Sequence, residues 1–200
     1  MKRRIWERMD KKGENHQKKW RNTGAVKFGT GLQYFKKPLP SRFFGGGEAE
    51  PHAVAFGAGL GRQGLIPVVA IYSTFLQRAY GQVIHDVMLQ NLNVLFAIDR
   101  AGLVPGDGAT HQGVYDAAFL SQQTDMPVIS PSNYQELTHW LKVLLEEYSI
   151  PRAIRYPRGK EPERLMEKPC TGEPYDHLVR QKKPRAALVT YGGETADVLE

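Results

Sequence analysis

From Ser41 onward, apolar positions along the chain fall into two alternating rhythms: short unbroken runs, and stretches in which apolar residues return every three or four positions. The unbroken runs at residues 67–72 (PVVAIY), 93–98 (NVLFAI), 127–130 (PVIS) and 153–156 (AIRY) read as strands of a parallel sheet, buried on both faces and so lacking polar alternation. The stretches between them read as helices. Residues 51–61 have Pro51 in the first turn, where its missing N–H costs nothing, and glycines at the end. Thr74 and Gln77 stand at capping-box spacing ahead of Tyr80, Val83, Ile84, Val87 and Met88, which share a helical face. Residues 114–121 predict a short helix, and Pro131 opens a long amphipathic one through Leu137, Leu141, Leu144 and Leu145. This alternation predicts an α/β fold, a parallel sheet covered by helices.

The same pattern predicts the chain's organisation. Residues 1–23 lack apolar periodicity and read as a leader, and residues 24–160 form one domain, entered through a Gly- and Pro-punctuated connector at 24–40. Residues 161–185 are charged and Pro-containing, as a linker would be. Residues 186–200 begin a further unit, opening on a strand at 186–191 (AALVTY). No internal repeat is evident.

Charge refines this picture only at the leader. Of 27 Lys and Arg and 21 Asp and Glu in 200 residues, the leader holds nine bases and three acids, so the rest of the chain is balanced and the net +6 resides in the leader. A polar, basic stretch of this kind reads as a solvated, disordered tail; a nucleic-acid or partner-binding arm is the other reading. No run of about eighteen apolar residues and no apolar signal segment is present, which leads us to expect a soluble, cytoplasmic protein. Cys170, the single cysteine, excludes a disulfide within the chain and a CxxC metal site.

In open parallel sheets, ligands bind beyond the carboxyl ends of the strands. That rule selects Tyr72, Ser73, Phe75 and Arg78 in one loop, Asp99, Arg100, Asp107 and His111 in a second, and Tyr156 and Arg158 in a third. Guanidinium groups suit a phosphate monoester through bidentate hydrogen bonds, and a histidine moves protons near neutral pH. A small phosphorylated substrate fits this set; solvated ion pairs at strand ends are the competing reading. Other motifs carry less. The GAGLG run at 57–61 lies inside a predicted helix rather than between strand and helix, Ser73 has no G-x-S-x-G elbow, and the DGATH run at 107–111 is too short for a metal site.

Four segments, RFFGGGEAEPHAVAFGAGL (42–60), PVVAIYSTFLQRAYGQVIHDVMLQN (67–91), FAIDRAGLVPGDGATHQGVYD (96–116) and RYPRG (155–159), resemble the central domain of 1-deoxy-D-xylulose-5-phosphate synthases. General transketolases and pyruvate dehydrogenase β-subunits share that fold, but YSTFLQRAYGQ with IDRAG and GDGATHQG points to the synthases. The resemblance implies a transketolase-like pyrimidine-binding domain of a thiamine-diphosphate transferase that condenses pyruvate with glyceraldehyde 3-phosphate and releases carbon dioxide. Its product serves isoprenoid, thiamine and pyridoxal synthesis. Glu50 matches the glutamate that hydrogen-bonds N1′ of the cofactor's aminopyrimidine, and Phe75 the aromatic residue on that ring. Tyr72, Arg78 and Arg158 match residues lining the acceptor and its phosphate, with Arg100 another arginine of the site. Asp107 and His111 match the loop pair near the reacting carbons. The assigned catalytic set is therefore Glu50, His111 and Asp107; Glu50, Phe75 and Tyr72 bind cofactor; Tyr72, Arg78, Arg100 and Arg158 bind substrate.

The family holds Mg²⁺ and the diphosphate through a first domain with a GDG-and-asparagine motif, which this chain does not show, and GDG at 106–108 belongs to the central-domain loop instead. No metal ligand is therefore assigned here, and activity of the chain alone is not expected. The family's opening strand and helix also find no likeness in residues 1–23. At 45–48 an apolar run of the family is replaced by Gly45, Gly46, Gly47 and Glu48, which raises backbone freedom and adds a charge close to Glu50 in sequence. Three states stay open: a subunit of a split enzyme or homodimer, a degraded or truncated gene product, and a non-catalytic interaction module using the basic leader.

Overall fold

The computed structural model describes residues 19–23, 29–36, 40–122, 125–168, 170–173 and 175–199. Its centre is a six-stranded sheet: β1 (Lys19–Thr23), β2 (Phe43–Gly45), β3 (Ile66–Tyr72), β4 (Leu95–Asp99), β5 (Val128–Ile129) and β6 (Arg152–Tyr156). The strand order is β2-β1-β3-β4-β6-β5, and every neighbouring pair is parallel. The helices are α1 (Gln33–Lys36), α2 (Glu50–Arg62), α3 (Ser73–Leu76), α4 (Tyr80–Gln82), α5 (Asp116–Ser121), α6 (Tyr134–Glu146) and α7 (Thr195–Val198).

Side chains alternate across the strands and give the sheet two buried faces. On one, Val69, Ile71, Phe96, Ile98 and Ala153 pack with Ala53, Val54 and Ala58 of α2. On the other, Val68, Ala70, Leu95, Ala97 and Ile154 pack with Leu137, Leu141 and Leu144 of α6. Each fully buried aliphatic side chain contributes roughly 1.5–3 kcal/mol, so the unbroken apolar runs are explained by burial on both sides. Asn133 caps α6 by accepting the Glu136 amide at 2.9 Å, and the GAGLG run lies inside α2.

The structure departs from the sequence reading in four places. Lys19–Thr23, assigned to a leader, is β1, hydrogen-bonded between β2 and β3; backbone pairing makes a strand there without an apolar pattern. Residues 1–18, and with them most of the basic arm, lie outside the described residues. Thr74 does not cap a helix: its hydroxyl donates to the Thr110 carbonyl at 3.1 Å. The stretch after it is broken into α3, a 3₁₀ turn (Gln77–Ala79), α4 and a π-helical segment (Val83–Met88). Part of the expected linker is docked, since Leu165 is buried and its carbonyl accepts from Asn133 Nδ2 at 3.2 Å. The strand expected at 186–191 does not form; Leu188 and Val189 stand 75% and 82% exposed, because strand propensity is realised only against a partner edge.

Candidate active site

Glu50 is the first residue of α2, with Ala49 as N-cap and Pro51 behind it. The turn that delivers it uses Gly47 at φ +67°, a backbone region open to glycine, while Glu48 is exposed. The Glu50 side chain is 2% exposed. Its Oε2 accepts a long hydrogen bond from the Arg78 guanidinium at 3.5 Å. Its Oε1 is buried with no hydrogen-bond partner among the described residues. A buried carboxyl oxygen left without a hydrogen-bond partner is costly, so this atom is arranged for a partner that the described residues do not supply.

The aromatic floor of the site begins at the end of β3. Tyr72 and Phe75 stack with centroids 5.5 Å apart, and His111 meets Phe75 edge-on at 5.2 Å. The Arg78 guanidinium lies 4.8 Å from the Phe75 ring centre and is 57% exposed. Thr74, holding the Thr110 carbonyl, ties this helix to the His111 loop. Glu50, Arg78, Phe75 and His111 are thus brought into one chain of contacts.

A second cluster adjoins it. Register places Tyr72, Asp99 and Tyr156 side by side at the carboxyl ends of β3, β4 and β6. Arg100 follows Asp99 at φ +62°, a left-handed conformation uncommon outside glycine, and its guanidinium stands 3.7 Å over the Tyr72 ring. Arg100 Nε donates to Asp107 Oδ2 at 2.8 Å, and Arg100 also faces Asp99 at 3.5 Å. Asp107 Oδ1 accepts from Arg158 as well. The Arg100 hydrogen bond, with the charges of Arg100 and Arg158, holds the Asp107 carboxyl below the usual aspartate range. Burial pushes the Tyr72 phenol up, against the opposing pull of Arg100. Arg100 is buried, so Arg78 and Arg158 are the two guanidinium groups of the set that face solvent.

Some residues that hold this geometry escaped the sequence reading. Arg155, one position before Tyr156, points to the opposite face and grips Asp116 with two buried hydrogen bonds at 2.9 and 3.0 Å. It also donates to the Gly113 carbonyl at 3.4 Å. Gly113 pairs with Gly102 to close the Asp107–His111 loop. Nothing in residue type or spacing marks these as partners, because they meet only through the fold. Among the described residues no three His, Cys, Asp or Glu side chains are grouped as a metal ion would need. No helix of the described residues is long and apolar enough to cross a membrane.

The arrangement agrees with comparisons to known proteins. The family model "Transketolase, pyrimidine binding domain" matches residues 7–163. A 1-deoxy-D-xylulose-5-phosphate synthase of Clostridium kluyveri is 53% identical over 137 residues, 68% of this chain and 22% of that protein. One from Natranaerobius thermophilus is 48% identical over 179 residues, 89% of this chain and 28% of that protein. The chain therefore spans about a quarter of the length of these relatives. Among solved structures, "Split gene transketolase, inactive beta4 tetramer" superposes with a TM-score of 0.70 at 27% identity, over 80% of this chain and 52% of that one. A helix-covered parallel sheet, a buried glutamate at the head of α2 and a sequence match across most of the domain converge: the chain belongs to the transketolase pyrimidine-binding domain family, and within it resembles the 1-deoxy-D-xylulose-5-phosphate synthases.

Proposed function

We propose that this chain is the pyrimidine-binding part of a thiamine-diphosphate-dependent 1-deoxy-D-xylulose-5-phosphate synthase, joining pyruvate to glyceraldehyde 3-phosphate with loss of carbon dioxide. The observation that carries the reading is the buried, partnerless Oε1 of Glu50 beside an aromatic floor. An aminopyrimidine offers what that atom lacks, a flat ring to lie on Phe75 and a ring nitrogen that shares a proton with a carboxyl group. When bound, thiamine diphosphate supplies the carbon nucleophile and the electron sink that decarboxylation of a 2-oxo acid requires.

The chain's own residues then have distinct tasks. Glu50 holds a proton at Oε1 toward the ring nitrogen, in a position where exclusion of water strengthens the bond. Phe75 carries the ring, with Tyr72 stacked behind it. Arg78 and Arg158 present guanidinium groups to the acceptor's phosphate, a pairing that favours planar bidentate contact, and Arg100 stands behind Asp107. His111, edge-on to Phe75, and Asp107 face the reacting carbons. The diphosphate and its Mg²⁺ are held by protein outside these 200 residues, on a separate chain or in a homodimeric cytoplasmic enzyme. The product serves isoprenoid, thiamine and pyridoxal synthesis.

The test combines the purified chain with thiamine diphosphate, Mg²⁺, pyruvate and glyceraldehyde 3-phosphate, with and without the first domain of a related synthase. Product is expected only with the added domain, and Glu50→Ala abolishes it. Product that survives Glu50→Ala, or none in any mixture, overturns the reading.

A further inference from the structure

The loop that carries Asp107 and His111 is organised around one side chain, Gln112, to which no role has been given above. The loop is closed at its base by Gly102 and Gly113, whose amides donate to each other's carbonyls at 2.7 and 2.9 Å. Inside it, Gln112 Oε1 accepts the Val104 amide at 2.8 Å. Gln112 Nε2 donates to the Val104 carbonyl at 3.2 Å and to the Gly108 carbonyl at 2.8 Å. The orientation of the amide is fixed by its partners, since the reverse would set its NH₂ group against the Val104 N–H.

Those two carbonyls are the ones that fix the two functional residues. The Asp107 amide donates to the Val104 carbonyl at 3.5 Å, and the His111 amide donates to the Gly108 carbonyl at 3.2 Å. Gln112 therefore holds both acceptors on which the backbone positions of Asp107 and His111 depend. The effect reaches further, because the Asp107 carboxylate bridges Arg100 and Arg158. Where the loop places Asp107 decides where the half-exposed Arg158 guanidinium is held. Glycines at 106 and 108, with φ of +83° and +78°, give the loop no stiffness of their own, so its shape rests on these hydrogen bonds.

We propose that Gln112 is a positioning residue for the acceptor side of the site: it sets Asp107, His111 and Arg158 for a phosphorylated substrate without touching that substrate. The proposal deepens the synthase reading and rests on it for the identity of the ligand.

The experiment uses this chain with Gln112→Met, which keeps the side chain's length and removes its hydrogen bonding. Amide hydrogen exchange is followed by NMR, together with the Arg158 Nε–H signal and titrations with glyceraldehyde 3-phosphate and with thiamine. Exchange at Val104, Asp107 and His111 should accelerate by about tenfold or more, the scale of one or two lost hydrogen bonds, while strand amides stay unchanged. The Arg158 signal should shift, and the dissociation constant for glyceraldehyde 3-phosphate should rise about tenfold with that for thiamine unchanged. A merely structural role would weaken both ligands together or lower the unfolding midpoint. Unaltered exchange at Asp107 and His111, or a loosened loop with unaltered glyceraldehyde 3-phosphate binding, overturns the proposal. If the unsubstituted chain binds neither probe, the titrations are run with the first domain of a related synthase added; absence of binding there overturns the synthase reading, and exchange with the Arg158 signal still decides the positioning claim. Should Gln112→Met not fold, Gln112→Asn, too short to span the loop, takes its place with the same criteria.

Discussion

Gly113 is the position at which the structure makes its strongest demand for one residue type. An ideal Cβ there would lie 1.9 Å from the Arg100 carbonyl oxygen and 2.8 Å from Ser73 Cβ and Oγ, where real Cβ contacts keep beyond 3.0 Å. The overlapping atom is backbone, and it belongs to a residue already held at φ +62°, so it has no rotamer by which to withdraw. Overpacking costs about 1–3 kcal/mol where side chains give way, and with the Arg100 backbone as the nearest obstacle we expect Gly113→Ala to reach about 3 kcal/mol. That is a large share of a native stability of about 5–15 kcal/mol. With a urea dependence near 2 kcal/mol per molar, the unfolding midpoint should fall by about 1.5 M. Gly59→Ala is the control, since a Cβ there meets nothing within 4 Å inside α2; it should stabilise by about 0.5–1 kcal/mol. A Gly113→Ala midpoint within roughly 0.3 M of the parent would refute the packing account of the loop.

Three further outcomes are expected. Tyr156 is fully buried and its hydroxyl has no hydrogen-bond partner among the described residues, so Tyr156→Phe should raise stability by about 1 kcal/mol; a loss of that size in thermal unfolding would mean the hydroxyl has a partner. Asp116→Ala leaves the Arg155 guanidinium buried without its carboxylate and should destabilise by about 3–5 kcal/mol. The double substitution with Arg155→Met should recover most of the loss, and failure to recover would show that the charge is not its source. Asp107 is held below its ordinary value of 3.8, first by the Arg100 hydrogen bond. A depressed carboxylate contributes stability that is fully present above 3.8 and fades as pH falls through the folded value. Asp107→Asn should therefore flatten the acid limb of the stability profile below about pH 4, and an unchanged limb counts against the ion pairs.

The amino-acid order determined the layers of this protein. Runs such as 67–72 and 94–98 are almost wholly apolar, and burial between two helical layers accommodates that, so the parallel sheet, with candidate site residues at its strand ends, was legible in the sequence. Glu50, Phe75, Arg78 and His111 were named as candidates because their motif strings are long, and the fold brings them into one chain of contacts. Tertiary structure alone decided what the periodicity could not carry. Strand β1 is built from the polar stretch KWRNT, since hydrogen-bonding between two neighbouring strands does not depend on hydrophobic alternation. Thr74, at capping-box spacing, instead bonds a carbonyl 36 residues away, and AALVTY forms no strand. Arg155 with Asp116, and Gln112 with the carbonyls of Val104 and Gly108, are hydrogen bonds whose geometry exists only after the chain has folded, and no spacing rule encodes them.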